Sequence, residues 1–265
     1  MNPIKVGLVG FGRAGREGAK EILRDKELRL SWIARRTWRD EADITEKPHR
    51  KLHLEGCDCA ALTVDELSSP AFMRAHKVDL IIDLASSNAI RHYGHLARQG
   101  VRIVSAVSHY EDSDKELFRL ASRLTATLHS PNITLGINLV FVMARMLRRL
   151  LPQADVQITE EHFSQKRGRS GTAERLALML GLEPDDVISS IRAGGIIGKH
   201  ELIFGLPNQT IRMVHETINR RAFARGALLA GKWLMDAEPG LYSMEKLVFK
   251  RIREGLNEDA EEASA

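Results

Sequence analysis

Ile4-Lys5-Val6-Gly7-Leu8-Val9 runs without a break into Gly10-Phe11-Gly12-Arg13-Ala14-Gly15, and this junction constrains the fold more than any other stretch. A short apolar run suited to a buried strand meets three glycines at G-x-G-x-x-G spacing. A helix follows, with apolar Ala19, Ile22 and Leu23 on one face. Each glycine has a separate use at such a junction. The first allows a tight turn, the second lets a pyrophosphate approach the backbone, and the third lets helix and strand lie close together. The helix N-terminus adds N–H groups and a positive dipole end. Gly10, Phe11, Gly12, Arg13, Ala14 and Gly15 are therefore the candidate cofactor-binding loop; the plain alternative is a glycine-rich turn that holds nothing.

The alternation continues. Leu28 to Ala34 reads as a second strand, Val78 to Leu84 as another and Val101 to Val107 as a further one. Helices are expected at Ala89–Gln99, stopped by Gly100, and at Asp114–Leu128, whereas residues 37–66 are polar and irregular. Strands alternating with helices predict a parallel, doubly wound sheet of Rossmann type. After Ser130-Pro131-Asn132 the pattern changes. A long apolar helix over residues 136–151 precedes a strand at Ala154–Thr159 and a helix over residues 173–181. Strands at Ile188–Ala193, Ile196–Phe204 and Thr210–Thr217 then cluster without helices between them, which predicts a second, mixed sheet. The fold class is α/β, with a Rossmann domain over residues 1–131 and 220–265 and a smaller mixed α+β domain over 132–219. A helix from Arg221 to Met235 offers Ala224, Ala227 and Gly231 for close packing, and the tail over residues 254–265 is expected to fray.

The end of the second strand selects among dinucleotides. An acidic residue there would receive the ribose 2′-hydroxyl, but the chain has Ala34-Arg35-Arg36-Thr37. Two guanidinium groups suit a 2′-phosphate, so NADPH is expected over NADH, with NADH still admissible. A solvated charge pair is the plain alternative. Composition excludes other classes. A net charge of +4, from 39 basic and 35 acidic residues, is small for a nucleic-acid binder, and Arg145, Arg148 and Arg149 lack interleaved aromatics. Cys57 and Cys59 match neither a zinc site nor a CxxC pair, and no metal is expected. The longest apolar run, Leu135 to Leu147, contains Asn138 and Arg145 and is too short to cross a bilayer. With an apolar start that reads as a strand rather than a secretory signal, a cytoplasmic protein with reduced thiols and no membrane partner is expected.

The other stretch rich in chemistry is Glu160-Glu161-His162-Phe163-Ser164-Gln165-Lys166, followed by Arg167-Gly168-Arg169-Ser170-Gly171-Thr172-Ala173. If the chain is extended to Glu161 and then turns, His162 and Lys166 can face one pocket. Ser170, Gly171 and Thr172 would then offer N–H groups and hydroxyls to an anion. An imidazole and an amine beside an anion site are what a carboxylated substrate needs when it must also receive a proton.

These segments resemble the dihydrodipicolinate reductase family, of which the chain looks like a divergent member. Ser130–Asn138 echoes that family's Ser-Pro-Asn-Phe-Ser-x-Gly-Val-Asn, and Glu160–Ala173 echoes Glu-x-His-His-x-x-Lys-x-Asp-Ala-Pro-Ser-Gly-Thr-Ala. Arg192–His200 echoes Arg-x-Gly-x-x-Gly-x-His. His215 with Arg220, Phe223, Ala224, Gly226 and Ala227 echoes the family's last motif, His…Arg-x-x-Phe-Ala-x-Gly-Ala. The resemblance spans Val6 to about Leu247 and implies lysine-pathway chemistry, in which nicotinamide hydride reduces a C=C–C=N system in a small cyclic dicarboxylate. By that resemblance His162 is the acid that protonates the ring, Lys166 holds a carboxylate, and Gly171 and Thr172 bind it. Ala106, Ser108, Asn132 and Arg220 join the cofactor residues on the same ground, although Arg220 also suits a surface helix end. His109 either contacts nicotinamide or fills space. A homo-oligomer, dimer or tetramer, is implied.

The chain departs from the family in places. Phe163 replaces the second histidine, Arg167-Gly168-Arg169 replaces Asp-Ala-Pro, and Ala106-Val107-Ser108-His109 replaces Gly-Thr-Thr-Gly. The stretch Glu174–Ile191 is also shorter. Two arginines in place of an acidic turn point to a larger or more anionic substrate. Three readings stay open: the lysine-pathway reductase, a reductase of another imino acid, and a non-catalytic dinucleotide-binding sensor.

Overall fold

The computed structural model describes residues 2–38, 50–85 and 88–262. β1 (Ile4–Val9), α1 (Arg13–Arg24) and β2 (Leu28–Arg35) form where the strand–glycine–helix pattern places them. β3 (Lys51–Leu54), β4 (Cys57–Thr63), a 3-10 turn at Asp65–Ser68, α2 (Pro70–Ala75) and β5 (Leu80–Asp83) follow. Next come α3 (Ile90–Tyr93), a 3-10 segment at Gly94–Gln99, β6 (Arg102–Ser105), α4 (Asp112–Ser122) and β7 (Ala126–His129). The remaining elements are α5 (Leu135–Leu150), β8 (Asp155–His162), α6 (Gly171–Met179), α7 (Pro184–Val187), β9 (Ile188–Arg192), β10 (Lys199–Leu206), β11 (Gln209–Glu216), α8 (Arg221–Leu234), β12 (Gly240–Tyr242) and α9 (Met244–Glu262).

Internal contacts divide the chain into two compact units, Met1–Thr134 with Phe223–Met244 and Leu135–Ala222 with Glu245–Ala265. The first holds a sheet in the order β12-β7-β6-β5-β1-β2-β4-β3. Its pairing is parallel except for the β3–β4 hairpin. The winding direction reverses between β1 and β5, and the carboxyl ends of those strands are where such a sheet holds ligands. The central strands are buried on both faces, which is why they read as apolar runs rather than as alternations. Val9, Trp32, Ile81 and Ile103 pack with Tyr93 and Phe118 in one core. Each large apolar side chain taken out of water contributes about 2 kcal/mol. α8 also packs closely on the sheet, since a Cβ added at Gly231 would lie 2.5 Å from Leu80 Cδ2.

The second unit holds a sheet in the order β11-β10-β8-β9. β10 is antiparallel to both neighbours, whereas β8 and β9 are parallel. Phe141 of α5 and Leu176 of α6 pack on Ile158, Leu202 and Phe204. Alternation along β8 buries Val156, Ile158 and Glu160 while Asp155 and Gln157 are exposed. That period makes this sheet legible, but it places a carboxylate on the buried face.

Several segments differ from their sequence reading. Residues 39–49 lie outside the described residues, but the rest of the stretch read as irregular contains the β3–β4 hairpin, turned at Glu55 (φ 47°) and Gly56 (φ 81°). The helix expected over Asp114–Leu128 stops at Ser122, and Ala126–His129 pairs as a strand between β6 and β12. Residues 126–128 are all buried, so no periodicity separates strand from helix there. Gly94 divides the expected helix at Ala89–Gln99 into a short α turn and a 3-10 segment. The tail continues α9 as far as Glu262, with residues 263–265 outside the described residues. Residues 245–265 group with the second unit rather than the first, because Glu245 receives Arg145 at 3.3 Å and also pairs with Arg175. Among the described residues no helix is long and apolar enough to cross a membrane, and no His, Cys, Asp and Glu cluster could hold a metal.

Candidate active site

The glycine loop of the first unit separates two kinds of requirement. Gly10 ends β1 with φ +94°, and a Cβ there would lie 2.8 Å from the Ala85 backbone. Its N–H donates to the Ala34 carbonyl at 2.8 Å. A Cβ at Gly15 would stand 2.0 Å from the Gly10 carbonyl oxygen, so α1 sits this close only because no side chain intervenes. At Gly12, by contrast, an added Cβ would meet nothing within 4 Å. The protein's own packing requires Gly10 and Gly15, and Gly12 keeps an open approach to the backbone. Arg13 and Ala14 begin α1, whose first N–H groups have no intrahelical acceptor. An open approach beside a helix N-terminus fits a dinucleotide pyrophosphate.

Phe11 is buried, with its ring centroid 5.8 Å from that of Trp38 and the Arg16 guanidinium 4.5 Å above it. Its side chain anchors the loop. Trp38 Nε1 donates to the Leu62 carbonyl at 2.5 Å, and the same ring carries the Arg35 guanidinium at 5.3 Å. Arg35 thus has a platform at the carboxyl end of β2, while Arg36 is exposed.

A buried acid that the sequence reading missed stands at the winding switch. Asp83 ends β5. Its Oδ1 accepts the Ala85 N–H at 2.9 Å, and its Oδ2 accepts the hydroxyls of Tyr93 at 2.7 Å and Tyr110 at 3.4 Å. Burial raises its carboxyl to about 6 in spite of these bonds. An aspartate closing the apolar run Leu80-Ile81-Ile82 was the available signal. Because the Ala85 backbone meets Gly10, Asp83 braces the cofactor turn. Its folded pKa lies above the unfolded value, so its contribution to stability is fully present below about pH 4 and is lost as pH rises through about 6. Asp83→Asn should therefore gain stability relative to wild type across that window, by about 3 kcal/mol in denaturant melts. A difference that stays constant with pH would remove this assignment.

The segment standing in place of the family's glycines is held by the same cluster. Ala106 N–H donates to the Asp83 carbonyl at 3.0 Å, and Val107 N–H reaches Ser105 Oγ at 3.2 Å. Ser108 and His109 are exposed and in contact at 3.1 Å. The carbonyl of Asn132, after β7, accepts the Ser130 hydroxyl at 2.9 Å. Arg220 is half-buried just before α8 and falls in the second unit, whereas the other cofactor candidates fall in the first.

In the second unit one sheet face turns polar at its end. Register sets Ile158 beside Leu202 and Ile188, then Glu160 beside His200 and Ser190, then His162 beside Arg192. His200 in turn lies beside His215. Glu160 is fully buried and accepts five hydrogen bonds. Its Oε2 takes His162 Nδ1 at 2.5 Å and Arg192 Nη1 at 2.9 Å. Its Oε1 takes Ser170 N–H at 3.2 Å, Ser190 Oγ at 2.7 Å and Arg192 Nη2 at 2.5 Å. Burial would push this carboxyl up, yet the bonds from Arg192, Ser190 and His162 hold it at about 2.

His162 has a side chain only 12% exposed. Burial lowers its pKa; Glu160 opposes the shift, and the Lys166 and Arg192 charges add to it. His200 lies edge-on at 5.4 Å between ring centroids, and burial and the neighbouring His162 hold it at about 4, hence neutral. Ser170 departs from expectation. Its N–H is engaged by Glu160 and its hydroxyl by His200 Nε2 at 2.9 Å, so it anchors the start of α6 instead of facing a ligand. Gly171 is exposed and Thr172 half-buried in the first helical turn. Lys166 is half-buried in the preceding loop, where its carbonyl accepts Arg192 Nε at 3.2 Å. The basic turn is less cationic than its sequence, because Arg169 pairs with Asp185 at 2.6 Å. Phe163 is 37% exposed. Glu160 and Arg192, which organise the site, were missed as functional residues; the alternation back from His162 along β8 pointed to the first.

Comparison with known proteins bears on the family and the fold. Residues 136–248 match the model of the dihydrodipicolinate reductase C-terminus. A 4-hydroxy-tetrahydrodipicolinate reductase from Syntrophus aciditrophicus is 31% identical over 195 residues, covering 64% of this chain and 73% of the relative. The enzyme of the same name from Nitrosomonas europaea is 26% identical over 279 residues, covering 94% of this chain and 99% of the relative. Among solved structures, the dipicolinate-bound dihydrodipicolinate reductase from Paenisporosarcina sp. TG-14 shares the fold with a TM-score of 0.74 at 21% identity, covering 92% of this chain and 99% of that one.

Proposed function

The chain belongs to the dihydrodipicolinate reductase (4-hydroxy-tetrahydrodipicolinate reductase) family, and from that premise we propose that it reduces a small cyclic imine or enamine dicarboxylate with NADPH, using His162 as proton donor. Membership makes it a pyridine-nucleotide-dependent oxidoreductase of the lysine/diaminopimelate pathway. The observation that carries the residue assignment is the Glu160–His162 pair beside the first turn of α6.

A bound reduced nicotinamide supplies the hydride. Hydride arrival at carbon leaves an electron pair on the conjugated system of the ring, and that pair must take a proton. With Nδ1 held by Glu160, Nε2 of the His162 imidazolium is the nitrogen that can give it. The imidazole left behind recovers its proton from water. Lys166 and the N–H groups of Gly171 and Thr172 hold a substrate carboxylate and absorb the charge that builds during transfer.

Preference for NADPH rests on Arg35 and Arg36. Replacing both with serine should raise the KM for NADPH by about 10-fold and leave that for NADH nearly unchanged, since each solvent-screened pair with a phosphate is worth about 0.7 kcal/mol. Equal losses with both cofactors would remove the 2′-phosphate assignment. A cytoplasmic homo-oligomer is part of the same reading. Val214 and Ile191, on the outer face of the second sheet and 54% and 45% exposed, support pairing of copies there.

Substrate identity is tested by NADPH oxidation with freshly generated 4-hydroxy-tetrahydrodipicolinate. Turnover is expected. A second reading, reduction of another imino acid, is favoured by the exposed Phe163 where the family has histidine, and failure on this substrate with turnover of another cyclic imino acid would select it.

A further inference from the structure

We propose that Glu160, held by Arg192, is the positioning residue of this site, fixing the ring of the proton donor with one oxygen and the backbone of the carboxylate site with the other. This deepens the assignment of His162 as acid and rests on it.

A carboxylate retained only to hold strands together needs one good cation. Glu160 instead receives donors from three places: His162 on its own strand, Ser190 and Arg192 on β9, and Ser170 at the start of α6. The division between its oxygens follows function. Oε2 faces His162 Nδ1, which orients the ring with Nε2 away from the carboxylate. Oε1 takes the Ser170 N–H, one residue before the exposed Gly171. Ser170 Oγ is joined to His200, which braces the same junction from β10.

Arg192 extends the arrangement to the loop between them. Besides both Glu160 oxygens it donates to the Lys166 carbonyl at 3.2 Å and to the Gly168 carbonyl at 2.7 Å. The backbones of Lys166 and Ser170 and the ring of His162 therefore all hang on one ion pair whose carboxylate is fully buried. A residue that orients a ring and its neighbouring anion site acts on transition-state geometry more than on folding alone. The groups that face His162 are Glu160 on its own strand, Arg192 on β9, His200 on β10 and Lys166 in the loop, with His215 one strand further on β11.

Glu160→Gln keeps the shape and removes the charge; Glu160→Asp keeps the charge. In the full-length protein Glu160→Gln should lower kcat about 30-fold and raise the substrate KM several-fold, with Glu160→Asp recovering part of both. The high-pH limb of kcat/KM should move to lower pH, because burial and the cations at 166 and 192 then act on His162 without the opposing carboxylate. Thermal melting and circular dichroism of each variant serve as the fold control. Nitrogen NMR should find the His162 proton on Nδ1 in wild type and distributed between both nitrogens in Glu160→Ala. An unmoved limb together with Asp no better than Gln would mark a merely structural residue and overturn the proposal, as would an unchanged His162 tautomer. His162→Gln measured alongside separates the two ideas. An inactive His162→Gln with an unimpaired Glu160→Gln defeats the positioning role alone, and a fully active His162→Gln defeats the acid assignment and the positioning role with it.

Discussion

His162→Gln should lower kcat by about 10³-fold while leaving NADPH affinity within about twofold of wild type. The first figure is the usual worth of a positioned general acid. The second separates the proton step from cofactor binding, for which the glycine loop of the first unit is the candidate site. Glutamine can occupy the ring's place and accept or donate a hydrogen bond, but it cannot deliver a proton at neutral pH. The pH dependence supplies an independent check. An acid catalyst works in its protonated form, so wild-type kcat/KM should fall as pH rises through the His162 pKa, which burial sets below the ordinary imidazole value. Glu160 limits that shift by favouring the imidazolium. The variant should lack this limb and run at a low, flat rate. A variant that keeps more than about a tenth of wild-type turnover, or keeps the limb, would assign the proton to another donor.

The sequence carried the first half of this fold well because the glycine junction and the buried parallel strands leave strong local signals. The turn read at Gly10 and the close packing read at Gly15 match the positive φ of the first and the close approach at the second. Strand β7 escaped because Ala126, Thr127 and Leu128 are all buried, which erases both periods, and the preceding helical pattern ran into it. The second site was legible in part. His162, Lys166 and the Gly171-Thr172 turn stand out by residue type. Ser190, Arg192 and His200 are separated from them by many residues and meet Glu160 only through strand register. Register is not written in local spacing, so a buried carboxylate between a visible histidine and a remote arginine read as one more charge. The same cause misassigned Ser170, whose hydroxyl and N–H look available in sequence and are engaged by His200 and Glu160 in the structure.

Two glycine substitutions should separate what the fold needs from what the cofactor needs. Gly12→Ala should melt within about 2 °C of wild type, since the backbone there is extended (φ −80°, ψ −162°) and an added Cβ meets no protein atom within 4 Å. Its NADPH dissociation constant should nevertheless rise about 100-fold, because a methyl group on that open face displaces the pyrophosphate from N–H groups whose charge-assisted bonds are worth about 2 kcal/mol each. Gly15→Ala should behave differently. Its Cβ would lie 2.0 Å from the Gly10 carbonyl oxygen, an overlap that only backbone movement can relieve. Separating α1 from β1 should cost about 2 kcal/mol of stability, and cofactor affinity should fall with it because Gly10 and the helix N-terminus shift together. The contrast is the decisive reading. Loss of binding without loss of stability at position 12 means the dinucleotide itself occupies the open face. Wild-type affinity in Gly12→Ala, measured by quenching of protein fluorescence, would mean the pyrophosphate does not cross that backbone and that the loop is a turn with a packing role only.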